Sequence, residues 1–208
     1  MKFRIGPNGV HLFDRRSGLN VLLDELSPKE AAWSTSPRQV SVALTNVCDL
    51  HCGYCYAPKH KASLDAEQVL GWLKELDAGG CVGIGFGGGE PTLHRDFADM
   101  CKRAAGETQL AVTFTTHGHN LSPRLVESLK GSVHFVRISV DGVGLTYEKQ
   151  RGKQFSSLLR NLESIATLSP HGINVVVNNR TVFELDAVSE LAQKTGSSSF
   201  SYGGHPGC

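Results

Sequence analysis

Three cysteines, Cys48, Cys52 and Cys55, stand in the run Cys48-Asp49-Leu50-His51-Cys52-Gly53-Tyr54-Cys55, with the spacing C-x3-C-x2-C. No fourth cysteine lies nearby; the next is Cys81, alone in an apolar, glycine-rich stretch. A [4Fe–4S] cube ordinarily takes four thiolates. Three would leave one iron open, and an open metal position marks chemistry rather than a purely structural role. Zinc is the competing reading, because Cys52 and Cys55 are spaced like half of a zinc site and His51 or His60 could complete it. Structural zinc sites generally show a second ligand pair roughly 12–20 residues on, and none follows this loop. A disulfide framework fits less well: the cysteines are clustered and no secretory signal is read at the start, so reduced thiols and a cytoplasmic setting are expected.

The rest of the composition narrows the partners. A net charge of +1 supplies no global field to draw the chain to nucleic acid or an anionic membrane. No apolar run approaches the ~20 residues of a membrane-spanning helix. At 208 residues, with 40% hydrophobic and 20% charged content, the chain suits one folded domain with a small appendage.

Strand and helix signals then show what must position the cysteine loop. Residues 1–37 read as a β appendage and linker. Phe3–Ile5 and Val10–Phe13 flank a Gly6-Pro7-Asn8-Gly9 turn, Val21–Leu23 suits a third strand, and Ser27–Pro37 leads into a main domain over 38–208. From there the signals alternate. Strands are expected over Val40–Leu44, Val82–Phe86, Leu110–Thr115, Val133–Val140 and Ile173–Val177. Helices are expected over Asp65–Asp77, Arg95–Ala105, a short segment capped by Ser122, Phe155–Leu168 and Phe183–Lys194. Such alternation implies a parallel sheet covered by helices, with strands apolar on both faces. Ser198–Tyr202 reads as a weak sixth strand. The cysteine loop, Gly87-Gly88-Gly89-Glu90-Pro91, Thr116–Asn120 and Ser139-Val140-Asp141-Gly142 all fall at strand C-termini. That is the edge where α/β folds bind ligands.

Together these motifs resemble the radical S-adenosylmethionine (radical SAM) family. Its C-x3-C-x-aromatic-C pattern is matched with Tyr54 as the aromatic, and its Gly-Gly-Glu-Pro turn by Gly88-Gly89-Glu90-Pro91. Thr115-Thr116-His117-Gly118 is similar to a Thr-Asn-Gly, with His117 in place of Asn. Ser139-Val140-Asp141-Gly142 matches Ser-x-Asp-Gly, and Arg151-Gly152 a following Arg-Gly. The resemblance runs from about Arg38 to Gly196 and implies an α/β fold, a partial (β/α)6 barrel.

It also implies an enzyme. Cys48, Cys52 and Cys55 would ligate three irons of a [4Fe–4S] cluster, whose fourth iron would chelate S-adenosyl-L-methionine. One-electron reduction would then release methionine and a 5′-deoxyadenosyl radical that abstracts hydrogen from a substrate. The resemblance gives further roles as expectations. Gly88 and Gly89 would let the backbone approach the cofactor, and Glu90 would accept from the SAM ammonium. Tyr54 would lie near the adenine, Ser139 would meet the carboxylate or ribose, and Arg151 would pair with the carboxylate. Core packing remains open for Tyr54, a strand-end cap for Ser139, and a solvated surface position for Arg151. Asp141 reads as turn chemistry beside Gly142, and Asn178 and Asn179 as a polar strand end. Cys81 and Cys101 read as buried small residues. A low-potential electron donor of the flavodoxin or ferredoxin kind and a peptide substrate complete the implied partners.

The end of the chain departs from the pattern. The family core has six strand–helix units, whereas here no sixth helix follows and Ser197–Cys208 reads mostly as loop. The expectation is a barrel incomplete at its sixth unit, with Cys208 unable to build an auxiliary cluster alone. Two other functions stay open: a non-catalytic zinc- or iron–sulfur-binding module, and an inactive truncated remnant of the family.

Overall fold

The computed structural model describes residues 1–204, which form two sheets. The first is an antiparallel meander of β1 (Lys2–Gly6), β2 (Gly9–Phe13) and β3 (Asn20–Leu23). The second contains β4 (Gln39–Thr45), β5 (Gly83–Gly88), β6 (Ala111–Thr116), β7 (Phe135–Ser139), β8 (His171–Val177) and β9 (Ser199–Gly204). These six strands run parallel and pair in chain order, so β4 and β9 form the edges.

The sixth strand expected over Ser198–Tyr202 is present as Ser199–Gly204, so the loop reading of the tail is corrected for Gly203 and Gly204. This segment pairs with β8 over six positions, from Gly172↔Ser199 to Val177↔Gly204. Phe200 and Tyr202 favour a strand whereas its serines and glycines do not, and the open edge of β8 supplies the pairing. His205, Pro206, Gly207 and Cys208 lie outside the described residues.

Helices cover one face of the large sheet. They are α1 (Ala66–Ala78), α2 (Phe97–Glu107), α3 (Pro123–Leu129), α4 (Gly144–Arg151), α5 (Phe155–Ala166) and α6 (Leu185–Lys194). Asp65 caps α1 by accepting from Gln68 N, and Ser122 caps α3 by accepting from Leu125 N. Val69, Leu70 and Leu73 of α1, Met100 and Ala104 of α2, and Leu158, Leu162 and Ile165 of α5 are buried in one core. They meet Ile84, Phe86, Val112, Phe114, Val136, Ile138, Ile173 and Val175 from alternate positions of the strands.

The opposite, concave face does not match the expectation of apolar strands throughout. Phe135 and Val176 aside, its positions are mainly small or polar, among them Ser41, Gly85, Gly87, Thr113, Thr115, Arg137, Ser139, Gly172 and Asn174. Only the helix-covered side needs an apolar surface; the concave side is left to water and ligands.

The appendage docks at the end of the sheet away from the cysteine loop. Lys2 pairs with Asp77 at the C-terminal end of α1. Arg4 Nη1 donates to Ser36 O (2.6 Å) and Gly80 O (3.2 Å). Arg15 donates to the Ala105, Thr108 and Leu110 carbonyls at 2.8–2.9 Å. These are carbonyls at and just beyond the C-terminus of α2, where a cation is favoured.

Candidate active site

The cysteine loop leaves β4 through a break in its pairing with β5. The register slips between Ala43 and Thr45, so Thr45 lies opposite Gly88. The neck of the loop is closed by Asn46 N–H donating to Ala62 O (2.9 Å), Leu64 N–H to Leu44 O (2.9 Å) and a Thr45↔Ser63 bridge. The glycine turn after β5 grips the same neck, with Gly89 N–H donating to Thr45 O (2.6 Å) and Glu90 N–H to Val47 O (2.8 Å).

That contact explains two glycines. Gly88 has φ +124°, and a Cβ there would lie 2.3 Å from Thr45 O. A Cβ at Gly89 would lie 2.4 Å from Val47 O. The glycines therefore let two backbone segments touch each other, a need separate from approach to a cofactor. At Gly87 an added Cβ meets nothing within 4 Å.

Cys48, Cys52 and Cys55 are half-buried, carry no disulfide and line one cavity of about 710 Å³. The cavity also receives Tyr54, Gly88, Gly89, Glu90, Ser139 and Arg151, so the residues to which the resemblance gives cofactor roles reach the same space. Among the described residues, the three thiols do not converge within 4.8 Å of one another, as ligands of a single ion would. His51 and His60, the proposed completing zinc ligands, are exposed and join no such group. Three thiols around a shared cavity at wider spacing fit a multi-iron cluster better than one tetrahedral ion. Burial pushes the Cys48 thiol above its ordinary value, with the Leu50 N–H partly opposing. A bound metal would have to ionise it.

Behind the thiols lies a triad of Tyr54, Arg151 and Asp141. Asp141 is fully buried. Its Oδ1 accepts from Val176 N–H (2.8 Å), and its Oδ2 accepts from the Tyr54 hydroxyl and pairs with Arg151 Nη2 (2.6 Å). Arg151 also lies 5.8 Å from the Tyr54 ring centroid and points Nη1 at Cys52 Sγ (3.8 Å). Burial works against the Arg151 charge, but Asp141 together with Tyr54, Cys52 and Tyr147 outweighs it and holds the guanidinium protonated. Burial raises the Tyr54 phenol, with Arg151 opposing and Asp141 reinforcing.

Asp141 was expected to serve the turn; instead it is the hub that ties the cysteine loop to the strand β8 and the end of α4. Its partners are distant in sequence, which hid the role. Arg151 is buried rather than solvated, on a helix that the periodicity did not reveal, ending at Gly152 with φ +68°.

Glu90 and His117 form a second knot. Glu90 is buried, and Oε1 accepts from Thr92 N–H (3.2 Å), Thr92 Oγ1 (2.6 Å) and Thr116 Oγ1 (2.8 Å). Its Oε2 accepts from His117 N–H (3.0 Å). His117 Nδ1 accepts from His119 N–H (3.1 Å), which leaves the proton on Nε2. That nitrogen faces Asp49 Oδ1 (2.8 Å) and Glu90 Oε2 (3.3 Å). One imidazole thus bridges the cysteine loop and the glutamate turn.

Burial pushes the Asp49 carboxyl up, but His117, its own backbone N–H and Asn120 together reverse this and hold it below its usual range. Cys48, Asp49 and His117 do bring ligand atoms within 4.8 Å. Metal binding at Nε2 would need the proton on Nδ1, facing another N–H, so the bridging role fits better. Asn178 Oδ1 accepts from Arg180 N–H and Thr181 N–H and belongs to its own turn. Cys81 and Cys101 are buried in the core, as expected.

This parallel α/β sheet, with its thiol loop and polar cavity at the strand C-termini, has the architecture of a known enzyme class. Residues 42–192 match the Radical SAM superfamily, and the chain belongs to it. Members of that superfamily use a [4Fe–4S] cluster and S-adenosylmethionine. The mycofactocin maturase MftC of Mycolicibacterium smegmatis is 31% identical over 161 residues, covering 74% of this chain and 41% of the relative. The sporulation killing factor maturation protein SkfB of Bacillus subtilis is 30% identical over 176 residues, covering 80% and 42%. The chain therefore spans about two fifths of the length of these relatives.

Streptococcus suis SuiB bound to S-adenosylmethionine superposes with a TM-score of 0.80 at 15% identity, over 100% of this chain and 62% of that one. SuiB bound to precursor peptide SuiA gives 0.79 at 15% identity, over 98% and 62%. At that identity the likeness shows the fold alone.

Proposed function

We propose that this chain is the cofactor-binding core of a radical SAM enzyme that modifies a peptide. The supporting observation is that three free thiols, the Tyr54 and Arg151 side chains held by buried Asp141, and the polar sheet face line one cavity. In this reading Cys48, Cys52 and Cys55 hold the [4Fe–4S] cluster. When bound and reduced, cluster and S-adenosylmethionine together supply a 5′-deoxyadenosyl radical for hydrogen abstraction.

The chain's own groups bind and orient. Arg151, fixed by Asp141, and Ser139 take the carboxylate of S-adenosylmethionine. Glu90 meets the ammonium through Oε2, the less heavily bonded of its oxygens. The backbone of Gly88 and Gly89 borders the methionine part, and Tyr54 flanks the adenine. A flavodoxin- or ferredoxin-like donor in the cytoplasm supplies the electron, and the thiols require that reducing setting. Residues 1–37 serve as an appendage to the core over 38–208. The peptide class is supported by the precursor peptide bound to SuiB and by the maturation roles in the names of MftC and SkfB. No helix of the described residues is long and apolar enough to cross a membrane.

Anaerobic iron–sulfur reconstitution followed by EPR of the reduced protein, with and without S-adenosylmethionine, tests the reading. About four irons per chain and a reduced-cluster signal that changes on adding S-adenosylmethionine are expected. A cluster indifferent to S-adenosylmethionine would favour an inactive remnant, and bound zinc with no cluster would refute the cofactor assignment.

A further inference from the structure

Arg137 lies on the concave face of β7, two residues before Ser139 and on the same side of the strand. The spacing puts it ~6.6 Å deeper in the cavity than Ser139. Its register neighbours are Thr115 on β6 and Gly172 on β8. Short side chains on both flanks leave the guanidinium room to face the cavity.

Among the described residues, Arg137 makes no ion pair or side-chain hydrogen bond; its guanidinium carbon lies 5.4 Å from the Phe135 ring centroid. The other cations and carboxylates of the region are engaged. Arg151 is paired with Asp141, and both oxygens of Glu90 already accept hydrogen bonds. The hydroxyls of Ser41, Thr115 and Ser139 line the same cavity. Among the described residues, none of the three makes a side-chain hydrogen bond.

A half-buried cation with no anion nearby is costly unless something from outside neutralises it. Its planar fork suits a carboxylate, which it can bind through two parallel hydrogen bonds. We propose that Arg137, supported by these hydroxyls, forms a subsite for a carboxylate of the substrate, at a level of the cavity below the one assigned to S-adenosylmethionine. This rests on the peptide-modifying reading above and specifies it: the substrate presents an acidic side chain or a C-terminal carboxylate at this depth.

The test uses anaerobically reconstituted protein with S-adenosylmethionine and two pairs of short probes. One pair is an end-blocked glycine pentapeptide with a central glutamate and its glutamine isostere. The other is pentaglycine with a free C-terminus and its C-terminal amide. Binding is read by saturation-transfer NMR and titration calorimetry. The acid of at least one pair should bind about tenfold or more tighter than its amide, as expected for a charge-assisted pair. The pair with the larger ratio tells side chain from terminus.

Arg137→Gln should bring the ratio within about twofold, and Arg137→Lys, which keeps the charge but not the fork, should give an intermediate value. The EPR response to S-adenosylmethionine should persist in both. Equal binding of acid and amide by the wild type would overturn the proposal. So would a ratio unchanged by Arg137→Gln in protein of wild-type melting temperature. Loss of the EPR response in both variants would assign Arg137 to the cofactor carboxylate instead. Probe binding needs no turnover, so a wild-type protein without that response defeats the parent reading while the acid–amide ratio still decides this one.

Discussion

Replacing Asp141 by alanine probes the centre of the site without relying on any cofactor. The carboxylate is fully buried and serves three donors: Arg151 (2.6 Å), Val176 N–H (2.8 Å) and the Tyr54 hydroxyl. The Arg151 side chain retains only 11% of its exposure, so removing Asp141 leaves a guanidinium nearly out of water. Breaking a buried ion pair from one side costs about 3–5 kcal/mol. For a domain of this size that corresponds to a fall of roughly 6–20 °C in melting temperature. The cavity lets some water reach Arg151, which favours the lower half of this range.

The partner variant discriminates pairing from simple packing. Arg151→Met leaves the buried Asp141 carboxylate without its cation and should also destabilise, whereas the double variant Asp141→Ala/Arg151→Met removes both charges and should recover part of the loss. A double-mutant cycle should show a coupling of at least about 2 kcal/mol. Urea unfolding of the metal-free, reduced protein measures it. An Asp141→Ala loss under about 1 kcal/mol, or strictly additive variants, would refute the triad as the structural hub.

Other outcomes follow from the same geometry. Cys48→Ala, Cys52→Ala and Cys55→Ala should each abolish stable uptake of roughly four irons, whereas Cys81→Ala and Cys101→Ala should retain it; iron and sulfide analysis after reconstitution decides. Gly89→Ala puts a Cβ 2.4 Å from Val47 O, between backbone atoms that have no side chain to move, so iron uptake should collapse with all three thiols present. Wild-type iron content in that variant would contradict the packing argument. Burial, and then His117, pushes His119 down to about 4, and burial also lowers His134 and His171. The unfolded chain binds protons that these folded rings refuse, so their stability is complete above about pH 6.5. It is lost progressively as pH falls towards 4. The melting temperature of the metal-free protein should rise between pH 4.5 and 6.5 and flatten above, and a flat profile across that interval would count against it.

The legible parts of this molecule are those where one residue type carries the chemistry locally. The cysteine spacing, the glycine turn and the strand-end motifs each announce themselves within a few residues, and each reaches the cavity. What escaped reading depends on long-range closure. Asp141 meets Tyr54 across 87 positions and Val176 across 35. The α4 helix that carries Arg151 buries only Tyr147, so it leaves almost no apolar stripe in the sequence. The bridge from His117 to Asp49 joins the loops after the third and first strands of the large sheet, and neither residue's neighbours hint at the other.

The concave face is the deeper case, because there a general rule pointed the wrong way. Strands of a parallel sheet covered on both sides should be apolar throughout. Here β7 alternates, with Val136 and Ile138 buried against the helices and Phe135, Arg137 and Ser139 half-buried on the other side. Strand β5 achieves the same end with Gly83, Gly85 and Gly87 opposite Ile84 and Phe86. The helix-side residues alone give these strands their apolar signal, and in a short run that signal is hard to tell from a fully buried strand. The alternation carries functional content. An inner face of mainly small and polar residues cannot pack on itself as a closed apolar barrel does, so it keeps an accessible cavity of about 710 Å³ beside the thiols. Stability is thereby assigned to one face of the sheet and ligand binding to the other, and this is why substitutions such as Gly89→Ala and Asp141→Ala, at the rim where the two meet, affect both.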